Sequence, residues 1–414
     1  MTQSEAPSVK LSAASSQITA IHGLYDQAER RLRRISAWLI LFFLLQGELG
    51  AVWDREWHAY VGRDQFWTPP HTLIYSCVSG AGLVALMVVL LDTLRYRRKT
   101  PGVDDTSTFR VFGIFHAPLG YIITGFGALL ALVSAPLDNY WHELYGIDIA
   151  LWAPFHMMGV TGGVIGILGI IYIFASEAAI ERKTGQVKHR ILGFSWLELG
   201  ALMTIASLMN FTLTGFLQFP LFSIGPLHIS TYPLPLAVAG AFCFIGAIRL
   251  TGKWGVSTLL VLFLLAHTLI TELFIPWAIR TAVVQQDLLY RVPGHIPYFS
   301  LSYALLPLLF LVSALILDGV AYKKAKSGDK QHGSLRRSAL LGSLAMIPAM
   351  LIAPYILQYY SPFAFVFLPE PGVAISATAI LLALLIAIPA ALLAGALGGI
   401  MGVDFGDIWH WNIR

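Results

Sequence analysis

Charged residues and cysteines are both scarce in this sequence of 414 residues. Asp, Glu, Lys and Arg together make up only 12% of the chain, whereas soluble domains carry about 25%. The two cysteines, Cys77 and Cys243, both fall inside long apolar stretches, so no disulfide framework is expected. The shortage of charge excludes an ordinary soluble domain, and the net charge of +4 does not indicate a nucleic-acid-binding protein.

The N-terminal region lacks the short apolar core and the small-residue cleavage site of a secretory signal peptide. It is polar and ends in the basic segment 29–34. We therefore predict that residues 1–35 form a retained cytoplasmic tail.

Apolar residues, in contrast, make up 57% of the chain. Ten stretches have the roughly 20 apolar residues that a helix needs to cross a bilayer. The sequence therefore predicts an all-α polytopic membrane protein with about ten transmembrane helices in five hairpins. The predicted spans are 36–53, 68–91, 111–135, 150–175, 191–217, 231–249, 254–278, 297–317, 338–357 and 374–402.

The basic residues are distributed unevenly between alternate loops. Of the 27 Lys and Arg residues, 23 fall in the termini and the even-numbered connections, and 4 fall in the other loops. By the positive-inside rule, both termini face the cytoplasm and five loops face outward. The predicted location is the inner (plasma) membrane of the cell.

Two of the predicted outer loops carry the same pattern. An Asp is followed four residues later by a His, and a second His follows a proline, with twelve or thirteen residues between the two histidines. The residues are Asp54, His58 and His71 in the first copy and Asp138, His142 and His156 in the second.

The spacing predicts that each hairpin brings its three side chains together. Residues four apart share one face of a helix, and proline is favoured in the first turn, so Pro69 and Pro154 predict the starts of the returning helices. Two imidazole nitrogens and a carboxylate suit copper, zinc or iron. The alternative is that these residues only cap helices at the membrane surface, but the duplication favours a metal.

At these residues a family resemblance appears. The segment from Trp57-His58 through Arg63-Asp64 to Thr68-Pro69-Pro70-His71 resembles the metal-binding segment of the C subunit of particulate methane and ammonia monooxygenases. That family has an Asp-x3-His-x12-His motif and, downstream, an Asn-x3-His-x13-His motif. Both spacings recur here, with Asp138 in the position of the Asn.

The resemblance implies copper at the outer side of the membrane. Asp54, His58 and His71 would bind in one site, and Asp138 and His142 would belong to a neighbouring site, which in the family also uses the last His of the first motif; His156 fills the last position of the second motif. It covers roughly residues 36–175, which leads us to divide the chain into the tail 1–35, a metal-site region 36–190 and further hairpins in 191–414. The family's enzyme also needs two partner subunits.

Three functions remain open at this stage. The first is a copper-binding monooxygenase subunit that oxidises a small substrate with oxygen; the others are a metal carrier or transporter and a non-catalytic scaffold of a membrane complex. The expected partners are the lipid bilayer, other membrane subunits or further copies of the chain, and a small-molecule substrate, but no nucleic acid. Ionisable residues predicted at membrane depth are further functional candidates: Glu48, Glu272 and His267.

Two partial copies of the hairpin pattern occur later in the chain. Pro226-Leu227-His228 and Pro293-Gly294-His295 each place a histidine two residues after a proline. They predict the starts of two further spans without a full ligand set. Within the metal-site region, Gly127, Gly159, Gly162 and Gly163 predict close helix packing.

Overall fold

The computed structural model of the chain describes residues 8–62, 65–100, 108–145, 153–185, 190–216, 222–224, 227–229, 232–327, 335–357 and 377–409. These residues are mostly helical, and two small antiparallel hairpins lie between helices. The helices are α1 Ser8–Tyr60, α2 Pro69–Arg97, α3 Leu119–Tyr145, α4 Pro154–Lys183, α5 Trp196–Phe216, α6 Pro233–Thr251, α7 Val256–Gln285, α8 Leu301–Ala304, α9 Leu311–Ser327, α10 Leu335–Ala345, α11 Ile347–Leu357 and α12 Ala377–Trp409. A 3-10 turn at Leu306–Phe310 joins α8 to α9.

Within the described residues, nine helical stretches are long and apolar enough to cross a membrane. The all-α polytopic membrane class is therefore confirmed, whereas the ten spans, the five hairpins and their orientation stay predictions. The predicted fifth span, 191–217, corresponds to α5, which is not among the nine.

One predicted boundary differs from the structure. The predicted third span starts at residue 111, but α3 begins only at Leu119, because residues 108–118 form a hairpin of strands β1 (Thr108–Val111) and β2 (Phe115–Pro118). The helix α1 is continuous from Ser8 to Tyr60, so it runs from the predicted tail into the first predicted span. The second hairpin pairs β3 (Phe222–Ile224) with β4 (Leu227–Ile229).

Buried ion pairs join α1, α2 and α4 at one end of the bundle. Arg33 Nη2 lies 3.0 Å from Asp92 Oδ2, and Arg34 Nε donates to Glu177 Oε2 at 3.2 Å. Arg33 and Asp92 are each only 1% exposed, so the two charges neutralise each other where water cannot. We call this set the ionic network.

The two Asp/His sets lie at the opposite end of the same helices. Asp54 follows Arg34 by 20 residues on α1, and His71 precedes Asp92 by 21 residues on α2. At the 1.5 Å rise of an α-helix, each separation is about 30 Å. That length equals the hydrocarbon core of a bilayer, about 30 Å. The ionic network and the Asp/His sets are therefore one membrane thickness apart.

Glycines bring α3 and α4 into backbone contact. A Cβ at Gly162 would lie 2.7 Å from the backbone nitrogen of Ala131, and one at Gly169 would lie 2.6 Å from that of Thr124. No side chain fits in such a space, so the prediction of close packing is confirmed at Gly127 and Gly162. This contact fixes the position of α3 against α4.

The later helices form a second packed group. Gly402 of α12 lies against α6, where an added Cβ would be 2.8 Å from the Phe242 carbonyl oxygen. The Asp318 carboxylate of α9 accepts hydrogen bonds from the backbone nitrogens of Ser257 and Thr258, which caps the start of α7. One apolar core runs through both groups of helices.

Candidate metal centre

The helix ends position the two Asp/His sets as the spacing predicts. Asp54 and His58 lie in the last two turns of α1, and α2 begins at Pro69, two residues before His71. In the second hairpin, α3 carries Asp138 and His142, and α4 begins at Pro154, two residues before His156. Both prolines stand at the helix start, where a missing N–H costs nothing.

In the first hairpin, Asp54 lies between the two histidines. Its Oδ1 is 3.1 Å from His71 Nε2, and its Oδ2 is 3.9 Å from His58 Nε2. All three side chains are partly buried. We call these three residues the first triad.

A backbone contact fixes the orientation of the His71 ring. His71 Nδ1 lies 3.2 Å from the carbonyl oxygen of Gln65. A carbonyl oxygen only accepts hydrogen bonds, so Nδ1 carries the hydrogen, and in the neutral ring Nε2 then carries the lone pair. That lone pair faces the Asp54 carboxylate, an arrangement that is favourable only with a proton or a cation between the two atoms. Metal-binding histidines are oriented in the same way.

In the second hairpin, both histidines approach one oxygen of Asp138. Its Oδ2 lies 3.5 Å from His142 Nε2 and 3.4 Å from His156 Nδ1. These three residues form the second triad, and they are partly buried to a similar degree. The structure therefore brings together all six predicted site residues as two sets of three.

Each triad contains a buried carboxylate oxygen without a hydrogen bond. Asp54 Oδ1 and Asp138 Oδ1 are both inaccessible to water, and neither forms a hydrogen bond with any described residue. A buried, unsatisfied carboxylate oxygen is costly. Neither oxygen is hydrogen-bonded to a described residue, although Asp54 Oδ1 lies 3.1 Å from His71 Nε2, so a cation at each triad would satisfy it.

The triads offer the donors of a metal site but are not closed around one. Among the described residues, no group of three or more His, Cys, Asp or Glu side chains is arranged as a metal-binding group. Ligands about 2.0–2.2 Å from one ion lie about 3–3.5 Å from each other. The shorter contacts to Asp54 and Asp138 match this spacing, but His58 at 3.9 Å stands too far away. The donor chemistry thus fits copper, zinc or iron, and binding requires His58 to move inward.

Aromatic side chains surround both triads. Trp57, in α1 beside His58, is 2% exposed, and its ring is a wall of the bundle rather than a membrane-surface residue. Next to the second triad, Trp141 packs against Tyr145 and Phe155, with ring centroids 4.3 and 5.9 Å apart. These rings lie close to the triads in the chain, while the triad side chains themselves remain partly exposed.

The segment that follows α7 contacts the first triad, which the sequence did not indicate. The backbone nitrogen of Arg291 donates to the Tyr60 carbonyl oxygen at 2.8 Å, and its Nη1 donates to the His58 carbonyl oxygen at 3.3 Å. The His295 ring packs against the Tyr60 ring at a tilt of 49°, with centroids 4.8 Å apart. Arg291 and His58 are 233 residues apart, and no local pattern signals such a contact.

Several other predicted candidates have different surroundings from those expected. His228 lies in strand β4 rather than at a helix start, and His295 lies in a loop before α8. A further histidine that belongs to neither repeat, His116, is in β2, stacked on Tyr96, with Nε2 2.7 Å from Thr108 Oγ1. The motif residues Arg63 and Asp64 lie outside the described residues.

The intramembrane acidic residues do not contact the triads. Glu48 pairs with His267 of α7, and Glu272 accepts a hydrogen bond from the backbone nitrogen of Ser300. Neither is bonded to a triad residue. They are therefore not positioned to orient the imidazoles directly.

The comparisons with known proteins do not identify the chain. No protein-family model, no curated protein and no solved structure matches it. The candidate centre is therefore characterised by its own geometry.

Proposed function

We propose that the chain is a copper-binding membrane subunit, similar to the C subunit of particulate methane and ammonia monooxygenases, that takes part in oxidising a small substrate with oxygen. The observation that supports this proposal is the duplication in space. Two hairpins each bring one carboxylate and two imidazoles within 3.9 Å at the same end of the bundle. If these residues only capped helices at the membrane surface, there would be no reason for two such sets.

Three triad residues have defined roles in this proposal. Asp54 and Asp138 supply negative charge to a cation and use the oxygen atoms that have no hydrogen bond. His71, held by the Gln65 carbonyl oxygen, presents a ready lone pair on Nε2. Copper, when bound, supplies the redox chemistry that oxygen activation needs. The protein contributes the donor geometry.

Substrate access follows from the surroundings of the triads. Large aromatic side chains beside them point away from the bundle, with Trp67 73% and Tyr145 70% exposed. A small apolar substrate concentrates in the lipid that these rings contact. We propose that it reaches the triads from the membrane, and that other membrane subunits or a second copy of the chain complete the enzyme.

One observation keeps a metal carrier as the second candidate. Glu48, His267 and Asn210 form a polar cluster inside the bundle, inward of the first triad, which lowers the cost of bringing an ion to that depth. A carrier needs further donors toward the opposite end, and His116 there is occupied by Tyr96 and Thr108. The carrier therefore has less support than the oxygenase subunit.

Metal content of the purified chain tests the proposal. We expect near-stoichiometric copper in the parent protein, measured by mass spectrometry, and its loss in a His58→Ala, His142→Ala double variant. His116→Ala is the matched control, because it removes a histidine at the opposite end of the bundle. It should retain the parent's copper.

Other results have separate meanings. Zinc or iron in place of copper would retain the two sites but remove the oxygenase assignment. A chain that takes up no metal after reconstitution would be a scaffold. If proteoliposomes with the parent protein take up copper and those with the double variant do not, the carrier would be favoured.

A further inference from the structure

A cluster of polar side chains lies inside the bundle, separate from the triads. Glu48 of α1 is 4% exposed. Its Oε2 is 3.3 Å from His267 Nε2 on α7 and accepts a hydrogen bond from Asn210 Nδ2 on α5 at 3.4 Å. The Ser207 hydroxyl of α5 also contacts this carboxyl group. Three helices from distant parts of the sequence thus converge on one acid.

The cluster contains no permanent positive charge among the described residues. The remaining ionisable group that faces Glu48 is the thiol of Cys77 on α2, which is hydrogen-bonded to the Gly47 backbone. Glu48 has no lysine or arginine within ion-pair distance in the described part of the chain. Its Oε1 and both nitrogens of His267 are buried without a hydrogen bond there.

This composition fixes how many protons the pair holds. A charged side chain at membrane depth is costly. A neutral histidine ring already carries one N–H hydrogen. The pair of Glu48 and His267 has no net charge only when it holds one further proton, either on the carboxyl group or on the second ring nitrogen. Two separated charges inside the bundle are also unfavourable, so the neutral form places that proton on the Glu48 carboxyl, next to His267 Nε2.

We propose that Glu48 and His267 form an intramembrane proton-binding site, which holds one proton at rest and releases it when a cation binds at the first triad. On release, the O–H bond of the Glu48 carboxyl breaks and the proton passes by way of His267 to water. The negative charge that remains on Glu48 then partly balances the positive charge of the cation bound at the first triad. The resting proton is independent of the proposed function, whereas the release rests on it.

The distance between the two sites is short enough for this coupling. Glu48 and Asp54 are six residues apart on α1, about 9 Å along the axis. The two side chains lie on different faces of α1, so about 9 Å is the smallest separation of the charges, and at an effective dielectric constant of about 20 one unit charge there changes a protonation equilibrium by at most about twentyfold. A divalent ion acts more strongly. The cluster is therefore close enough to respond to the triad without contacting it.

A purely structural acid would not behave in this way. Packing between α1, α5 and α7 needs only the shape and hydrogen bonds of the side chain, which glutamine supplies. The Glu48→Gln variant should therefore fold and bind metal as the parent does. Only a measurement of the proton on Glu48 distinguishes a role in proton binding from a role in helix packing.

The resting proton is tested first, on the full chain without metal in lipid vesicles. We expect an infrared carbonyl band of a protonated carboxylic acid at neutral pH that is lost in Glu48→Gln and shifted in frequency in His267→Gln. Glu181→Gln, which removes a carboxyl at the end of α4 near the ionic network, should leave this band unchanged. A spectrum that Glu48→Gln does not alter would overturn the proposal.

The release is tested by adding Cu²⁺ in weakly buffered solution with a pH-sensitive dye. We expect the parent and Glu181→Gln to release up to one proton more per bound ion than Glu48→Gln, at equal metal content. Equal proton release at equal loading would overturn the coupling. If the parent binds no metal but the infrared band is present, the proposed function fails and the proton-binding site stands.

Discussion

Asp138 is the residue at which the second triad departs from the resembling family. Both of its histidines approach the same oxygen, Oδ2, and the other oxygen is buried without a hydrogen bond. A carboxylate at this position adds one negative charge that an asparagine would not. The second triad should therefore hold a divalent ion more tightly than an Asn-containing site of the same shape.

Replacing this carboxylate by an amide gives a direct prediction. Asp138→Asn keeps the size of the side chain but removes the charge, so affinity of the second triad for Cu²⁺ should fall at least about tenfold, because even outer-shell partners of metal ligands contribute 10–100-fold. Competition titration with a copper chelator measures this. Asp287→Asn, at an exposed position beyond α7, is the matched control. Unchanged affinity in Asp138→Asn would show that the carboxylate is not a ligand.

The ionic network allows a second prediction at a single residue. Asp92 and Arg33 are paired and almost fully buried. Asp92→Asn leaves the guanidinium partly uncompensated and should lower the free energy of unfolding by about 3–5 kcal/mol. Denaturant unfolding in detergent micelles measures it. Glu29 is the second buried carboxylate on Arg33, so the Glu29→Gln, Arg33→Met, Asp92→Leu triple variant should recover most of the loss, and a triple variant as unstable as the single one would contradict the charge argument.

At the scale of helices, the α3–α4 contact determines the geometry of the second triad. Asp138 and His156 belong to different helices, and their 3.4 Å contact depends on how closely those helices approach. Glycines on both sides allow that approach. A small side chain at the contact should therefore change metal binding without removing any ligand.

Substitutions of two glycines of α4, Gly162 and Gly166, test this. Gly162→Ala places a methyl group 2.7 Å from the backbone of α3. It should lower the free energy of unfolding by about 1–3 kcal/mol through overpacking. It should also reduce the copper bound at the second triad. Gly166→Ala meets nothing within 4 Å and should leave both unchanged. Copper content and thermal unfolding of the two variants are compared. Equal behaviour of the pair would mean that α3 and α4 do not position the triad.

The same helices explain how far sequence reasoning succeeds. Both triads depend on local rules, since Asp and His four apart share a helix face and Pro69 and Pro154 begin the returning helices. The cluster at Glu48 was not predictable, because His267 is 219 residues away. The hairpin of β1 and β2 was missed because its apolar residues continue the hydrophobic run of α3.

At the scale of the molecule, the two ends of the bundle differ in chemistry. One end carries the ionic network with its arginines, and the other carries the triads, about 30 Å away. An arginine-rich end is retained on the cytoplasmic side by the positive-inside rule. We therefore predict that the triads face the outside of the cell.

Labelling of single cysteines tests this orientation. In a background with Cys77→Ala and Cys243→Ala, we place one cysteine by Tyr140→Cys, exposed beside the second triad, and another by Arg98→Cys, exposed at the end of α2. A membrane-impermeant maleimide applied to intact cells should label position 140 and not position 98, and after permeabilisation it should label both. Labelling of position 98 alone in intact cells would reverse the orientation, so the triads would draw their metal from the cytoplasm and the monooxygenase proposal would lose its outer copper site.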